Sequence, residues 1–353
     1  MGFGHKDLRG NRQLTNSFKR LAEKYKICCR TLFSTIILVL LWVLLVGSFV
    51  HNGKNMYSLN HNNYFGIQEY HTNYSTPHAY TEPPFELGIQ FYNHKSNVQE
   101  LIRRYKRLSF KAQNFKLTVL EDGSSDGSKA LWMKYICCNW TITHTENLHE
   151  IRSYDKAIRN SSAVYFITLQ DDDLPPTQPS WIFDIYHLFQ KDRKLAMIGM
   201  WCGFIGPSYF ANIKGSCRPK RKNAHISTVL SGIPFSYVSG INQGPIAIRI
   251  DVYTSVGGFN YSYSEPGKPG IHFETELSLR MWESGWRVGL INSVGWSRGV
   301  GGKGTASSPQ KWLERKRGNR RNLGLVKQRF PTAALKSIDQ KVRSANKDLK
   351  KLI

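Results

Sequence analysis

From Leu87 onward, short apolar runs alternate with stretches of helical period, and this alternation limits the fold more than any other feature. Leu87–Tyr92 reads as a strand, and Val98–Leu108 as a helix with apolar residues at 98, 101, 102, 105 and 108. Phe115–Leu120 reads as a second strand, followed by a helix from about Ser128 to Cys137 and a short strand near Trp140–Thr143. A helix over about Glu150–Arg159 then leads into the apolar strand Val164–Leu169. Such alternation predicts an α/β fold, a mostly parallel, Rossmann-like sheet flanked by helices on both faces. Ligands of these sheets gather beyond the carboxyl ends of the strands.

Two acidic clusters fall at those ends. Glu121-Asp122 closes the second strand and opens a Gly/Ser-rich turn containing Asp126. A carboxylate there can accept from a base N–H or ribose hydroxyls, although the same residue types are favoured in plain turns. Gln170-Asp171-Asp172-Asp173 follows Val164–Leu169 directly. Three consecutive carboxylates repel one another unless a cation or hydrogen-bond donors compensate them. Asp171 and Asp173, two positions apart, can face the same way and share a hard divalent cation, Mn2+ or Mg2+. The competing account is a helix N-terminus, which also favours acids, and Trp181–Phe189 has helical character.

A third cluster lies in His272–Met281, where Phe273, Leu277 and Met281 form an i, i+4, i+8 apolar face. Adjacent helical residues differ by about 100°, so Glu274 and Glu276 lie roughly 200° apart and cannot both face one substrate. Glu276 has Arg280 four residues on, the favourable order for a structural ion pair. Glu274 is left as the candidate base, with Glu276 as the alternate. Between the clusters, Ser239–Arg249 and Val256-Gly257-Gly258-Phe259 carry glycines that allow close approach of backbone to a ligand or simply form turns.

The rest of the chain speaks to location. Thr31–Val50 carries no charge, and about 20 such residues cross the hydrocarbon of a bilayer as a helix. Residues 1–30 hold Lys6, Arg9, Arg12, Lys19, Arg20, Lys24, Lys26 and Arg30 against Asp7 and Glu23, whereas the thirty residues after the span hold only Lys54 and Glu69. The positive-inside rule predicts a cytosolic tail 1–30, a span 31–50 and a lumenal remainder, a type II arrangement suited to the Golgi or endoplasmic reticulum membrane. Residues 51–85, rich in Asn, His and Tyr, read as a stem; 86–330 as the folded domain; and 331–353 as a basic amphipathic helix. Cys202 and Cys217 are the preferred disulfide among four lumenal cysteines, which allow three pairings. Sequons at Asn73, Asn139, Asn160 and Asn260 agree with that side of the membrane. The net charge of +24 sits largely at the two ends, and no zinc-ligand spacing, RNA-binding signature or basic region with heptads accompanies it, so nucleic acid is not an expected partner.

Taken in order, Tyr92-Asn93, Glu121-Asp122-Gly123-Ser124-Ser125-Asp126, Asn147 with Arg152, Asp171/Asp173, Gly257-Gly258-Phe259 and Glu274 to Arg280 resemble the family-two-like glycosyltransferases of the GT-A fold. The resemblance covers about residues 87–330. It implies an inverting, metal-dependent enzyme that moves a sugar from a nucleotide-sugar, UDP-linked by expectation, to a hydroxyl of a glycan, protein or lipid. By residue match, Tyr92 and Asp122 would contact the nucleotide base, Asp126 or Arg152 would help hold the nucleotide, and Glu121 and Asp172 would also lie along the nucleotide-sugar. Asp171 and Asp173 would bind the metal, and Glu274 would be the catalytic base. Glu121 and Glu274 stand where Asp is commoner, and Gln170 stands where many members have Asp, which leaves Asp172 as an alternative to Asp171 in the metal register. No histidine follows His272; Lys311, Arg315, Lys316, Arg317, Arg320 and Arg321 either engage diphosphate in its place or form a solvated face. The alternative is a catalytically silent domain of the same fold that acts as a sugar-binding or scaffolding protein.

Overall fold

The computed structural model describes residues 84–111, 115–135, 140–206, 228–265, 268–291, 295–299 and 309–351. The chain divides into two units, Met1–Pro77 and His78–Ile353, and every described residue belongs to the second. The expected tail, span and nearly all of the stem, with Cys28, Cys29, Cys137, Cys138 and Cys217, lie outside the described residues. Among the described residues no helix is long and apolar enough to cross a membrane.

The first half is built as the alternation predicts: β1 (Phe85–Phe91), α1 (Lys95–Lys111), β2 (Phe115–Glu121), α2 (Ser128–Tyr135), β3 (Trp140–His144), α3 (His149–Asn160) and β4 (Tyr165–Gln170). These strands pair in parallel in the order β3-β2-β1-β4. Every residue of β1 is buried, as expected of a parallel strand covered on both faces. Gly88 leaves room for the Phe166 ring, whose tip would stand 2.4 Å from a Cβ placed there.

The second half is mixed. After β5 (Asp173–Leu174) and α4 (Ser180–Lys191) come β6 (Leu195–Gly199), β7 (Gly203–Phe204), β8 (Val229–Leu230), β9 (Ile233–Tyr237), β10 (Gly240–Ile241) and β11 (Ile246–Arg249). The short helix α5 (Ile250–Ser255), α6 (Phe273–Glu283), β12 (Arg287–Ile291), β13 (Ser297–Arg298), α7 (Pro309–Arg329) and α8 (Thr332–Lys350) complete the chain. The nine-stranded sheet continues β4-β11-β6-β12-β9-β8. Strand β11 runs antiparallel to both β4 and β6, so the parallel order inferred from alternation stops at β4.

The amphipathic C-terminal segment is a helix, α8, and buries Ile338, Val342, Ala345 and Leu349. Its Asn346 takes the N–H of Tyr237 at 2.8 Å and donates to the Tyr237 carbonyl at 2.8 Å, pairing a backbone edge that β9 leaves open. Cys202 is buried and disulfide-bonded.

Candidate active site

The carboxyl ends of β1, β2 and β4 converge, and the sequence there is spent largely on holding the ends in place. Asn93, in left-handed backbone at φ 49°, accepts from the N–H groups of Ser125 (2.7 Å) and Asp126 (3.2 Å). Asp126 accepts from Lys95 N–H at 2.8 Å and Ser128 N–H at 3.0 Å, so one carboxylate serves the first turns of α1 and α2 together. Burial opposes ionisation of Asp126, but the Ser128 and Lys95 hydrogen bonds win and hold its carboxyl below the ordinary value. Glu121 is fully buried between the Ser124 N–H and the His144 ring, whose Nδ1 is 2.6 Å away. Burial raises the Glu121 pKa, and those two partners more than reverse it. Asp122 takes the Thr145 hydroxyl and the N–H groups of Leu148 and His149 at 2.7–2.8 Å. Both its oxygens are thus committed to the entry of α3, where a base contact was expected. Arg152 donates to the Ser264 carbonyl at 2.7 Å and lies over the Tyr261 ring. Of the residues expected around the nucleotide here, Tyr92 is open, at 39% exposure.

The acidic run after β4 is not a helix N-terminus: α4 begins at Ser180, and no side chain caps it. Asp171 accepts from Tyr92 N–H at 3.3 Å and faces His94 Nδ1 at 3.2 Å. Burial raises its pKa against the pull of His94. Asp173 accepts from Gln170 N–H at 2.9 Å and lies 3.6 Å from Arg298 Nη1, and burial pushes its carboxyl up to about 7 while Arg298 opposes the shift. Asp172 is the most open of the three at 26% and receives Arg298 Nη1 at 2.7 and 2.8 Å. Pairing of β13 with β5 delivers Arg298 to this point, and the Trp201 ring lies 5.1 Å from its guanidinium. Arg298 was not singled out from the sequence; nothing in Trp296-Ser297-Arg298-Gly299 signals a partner 126 positions away.

Among the described residues no group of three or more His, Cys, Asp or Glu side chains is arranged to hold a metal ion. A Mg2+-like ion on a phosphate substrate needs only one or two carboxylates, the phosphates completing its shell. Asp172, with Asp171 beside it, fits that requirement once Arg298 turns aside. Asp173, buried and bonded to Gln170 N–H, fits it poorly.

Glu274 lies in the first turn of α6, after His272 at φ 65°, and is 7% exposed. Its Oε1 accepts from Gln243 N–H at 3.1 Å, while Oε2 is buried with no hydrogen-bond partner among the described residues. Burial pushes its pKa up to about 7; the Glu274 and Gln243 N–H groups and Arg315 oppose, and the charge of Glu150 adds to the rise. Burial raises the pKa of Glu150, but His149 together with the N–H groups of Glu150 and Gly270 holds it below the ordinary value. One carboxyl ionised beside one poised near neutrality is the arrangement expected of an acid–base site. Glu276 faces away as the helix geometry requires and pairs with Arg280 at 2.9 and 2.7 Å. Contacts link the two halves of the site: Glu274 to Gln243, the adjoining Gly244 to Trp201, Trp201 to Arg298, and Arg298 to Asp172.

Two cavities lie outside this line, bordered by neither Gln243 nor Glu274. One of about 290 Å³ is bordered by Ser264, Ile271, Arg315 and Arg321, the other of about 600 Å³ by Arg159, Gly258, Glu276 and Arg280. Neither is bordered by the Asp171–Asp173 run.

None of the curated proteins compared matches this chain. Among solved structures, the mannosyltransferase PcManGT from Pyrobaculum calidifontis, in complex with GDP-Man and Mn2+, is 12% identical, covering 60% of this chain and 55% of its own, with a TM-score of 0.41. TarS 1–349 of S. aureus in complex with UDP-GlcNAc is 12% identical, covering 63% of this chain and 61% of its own, with a TM-score of 0.44. The chain thus spans less than two thirds of the length of either structure. The sequence model of Glycosyl transferase family 2 matches residues 87–230, the stretch that holds both acidic strand ends, and over that stretch the chain is similar to that family.

Proposed function

We propose that this chain is a glycosyltransferase that moves a sugar, with inversion, from a nucleotide-sugar to an acceptor hydroxyl. The observation that carries the reading is Glu274: a buried carboxylate fixed through one oxygen, with the other unpartnered and its pKa near neutrality. A base of that pKa is matched to proton transfer at physiological pH. The acceptor oxygen attacks the anomeric carbon and its proton passes to Glu274. The carbon–oxygen bond to the diphosphate breaks opposite, and the electron pair leaves with the diphosphate. Tyr92 supplies an open ring for the base, and Arg298 a cation that can move between Asp172 and phosphate. A divalent cation on Asp172 and Asp171 would offset the charge of the leaving diphosphate. The match to Glycosyl transferase family 2 supports the donor class.

A panel of UDP- and GDP-sugars, scored by nucleoside diphosphate release in Mn2+, tests the reading. One donor is expected to be cleaved, and chelator or Asp172→Asn to lower the rate by about 10²-fold or more. Undiminished cleavage in chelator would return the acids to a purely structural role. A silent domain of the same fold is favoured by one observation, the neutralisation of Asp172 by Arg298; native protein that cleaves no donor would establish it.

We further propose the type II arrangement, with residues 51–353 in the lumen of the Golgi or endoplasmic reticulum. In sealed vesicles a C-terminal epitope is expected to resist added protease until detergent is present. Digestion without detergent rules the arrangement out.

A further inference from the structure

Three buried polar atoms on two touching residues have no hydrogen-bond partner among the described residues: Glu274 Oε2, Gln243 Oε1 and Gln243 Nε2. Buried polar groups are nearly always hydrogen-bonded, and leaving one unpaired costs the desolvation of that group. A surface residue caught by chance does not explain Gln243. Its turn is pinned on both sides, by Asn242 N–H to the Cys202 carbonyl at 3.1 Å and Met200 N–H to the Pro245 carbonyl at 3.0 Å. The following Gly244 packs so closely that an added Cβ would stand 3.0 Å from Trp201 Cβ. The turn therefore fixes the Gln243 backbone against Glu274 Oε1, and the side-chain amide it carries is unpaired among the described residues.

The missing partners define a ligand. Glu274 Oε2 needs a donor, Gln243 Oε1 needs a donor, and Gln243 Nε2 needs an acceptor. Two hydroxyls on neighbouring carbons supply all three: the attacking hydroxyl donates to Glu274 Oε2, while its neighbour donates to Gln243 Oε1 and accepts from Nε2. A serine, a threonine or a simple lipid alcohol brings one hydroxyl and leaves the amide unpaired.

We infer that Gln243 and Glu274 together bind a vicinal pair of hydroxyls, so that the acceptor of the proposed transfer is itself a sugar. This rests on the glycosyltransfer reading and narrows its acceptor. A site built to hydrogen-bond a hydroxyl discriminates strongly against the analogue lacking it, because its own polar groups are then stranded.

The test uses the full-length protein with whichever donor of the UDP- and GDP-sugar panel it cleaves, and two small acceptors, 1,2-cyclohexanediol (cis and trans) and cyclohexanol. Native protein is expected to glycosylate a diol about tenfold or more faster than cyclohexanol. Gln243→Leu and the volume-conserving Gln243→Met should bring that ratio to about one, with a melting temperature equal to or above native, because an unpaired buried amide has been removed. Equal use of diol and mono-alcohol by native protein overturns the inference, as does donor hydrolysis with transfer to neither. So does a preference that survives both variants, or a loss of both acceptors by the same factor, which marks a structural residue. If the variants instead raise the donor KM and spare the diol preference, Gln243 reads the donor sugar and the acceptor assignment falls. Failure of native protein to cleave any donor defeats the glycosyltransfer reading, and this inference with it, whereas donor cleavage without a diol preference defeats this inference alone.

Discussion

Glu274→Gln will lower transfer by about 10²–10⁴-fold while donor binding persists, because the amide keeps the bond from Gln243 N–H but cannot take a proton. The same substitution changes how stability depends on pH. Burial raises the Glu274 pKa from 4.5 to about 7, so the folded state holds this proton more tightly than the unfolded chain does. The associated stability is fully present below about pH 4.5 and is lost as pH rises through about 7, a loss on the order of 3 kcal/mol. The ionisation that activates the base therefore destabilises the fold. Native protein should melt at progressively lower temperature from pH 5 to pH 8, and Glu274→Gln should show a clearly smaller decline over that range. Asp173 and Asp184, also raised by burial, contribute equally to both proteins, so the difference between the two curves isolates Glu274. Parallel curves would remove the claim that Glu274 is held protonated by its surroundings.

Glu276→Gln will act on the fold. From spacing alone the pair with Arg280 is worth about 0.3–0.5 kcal/mol, the value for an exposed i,i+4 contact. The structure corrects that expectation: the Glu276 side chain is 3% exposed and that of Arg280 16%. Arg280 also donates to the carbonyls of Val256 and Gly258, and so holds the two-glycine turn, with Gly257 at φ 92° and Gly258 at φ 74°. Removing one member of a buried pair leaves the other charge uncompensated, at a cost on the order of 3 kcal/mol or more. For a domain of this size that lowers Tm by roughly 6–12 °C. Transfer by the protein that remains folded should stay within a few-fold of native. A dead but fully stable Glu276→Gln would exchange the roles of the two glutamates.

The parts of this molecule legible in its sequence are those whose physics is local. Strands β1 to β4 announce themselves as apolar runs closed by acids or turn residues, α8 by spacings of three and four, and the Glu276–Arg280 pair by an interval of four on one helix. Strand β11 escapes because an antiparallel insertion needs no crossover helix, so nothing in the alternation marks where the parallel order ends. Helix α7 escapes because it has almost no apolar period, burying only Asn322 and Val326. Asp122 and Asp126 are of the types that both bind nucleotides and cap helices, and only their partners show that both are occupied as caps. Arg298 and Gln243 are invisible for a different reason. Each matters through contacts made across the fold, with Asp172 in one case and Glu274 in the other, and neither contact leaves a spacing to read.

The most direct test of the account is the pH dependence of transfer under single turnover, with donor saturating. The rate should rise about tenfold per pH unit below about 7, level off above it, and lose that dependence together with its magnitude in Glu274→Gln. A rate independent of pH between 5 and 8, or native transfer by Glu274→Gln, would contradict the assignment of the base on which the proposed mechanism stands.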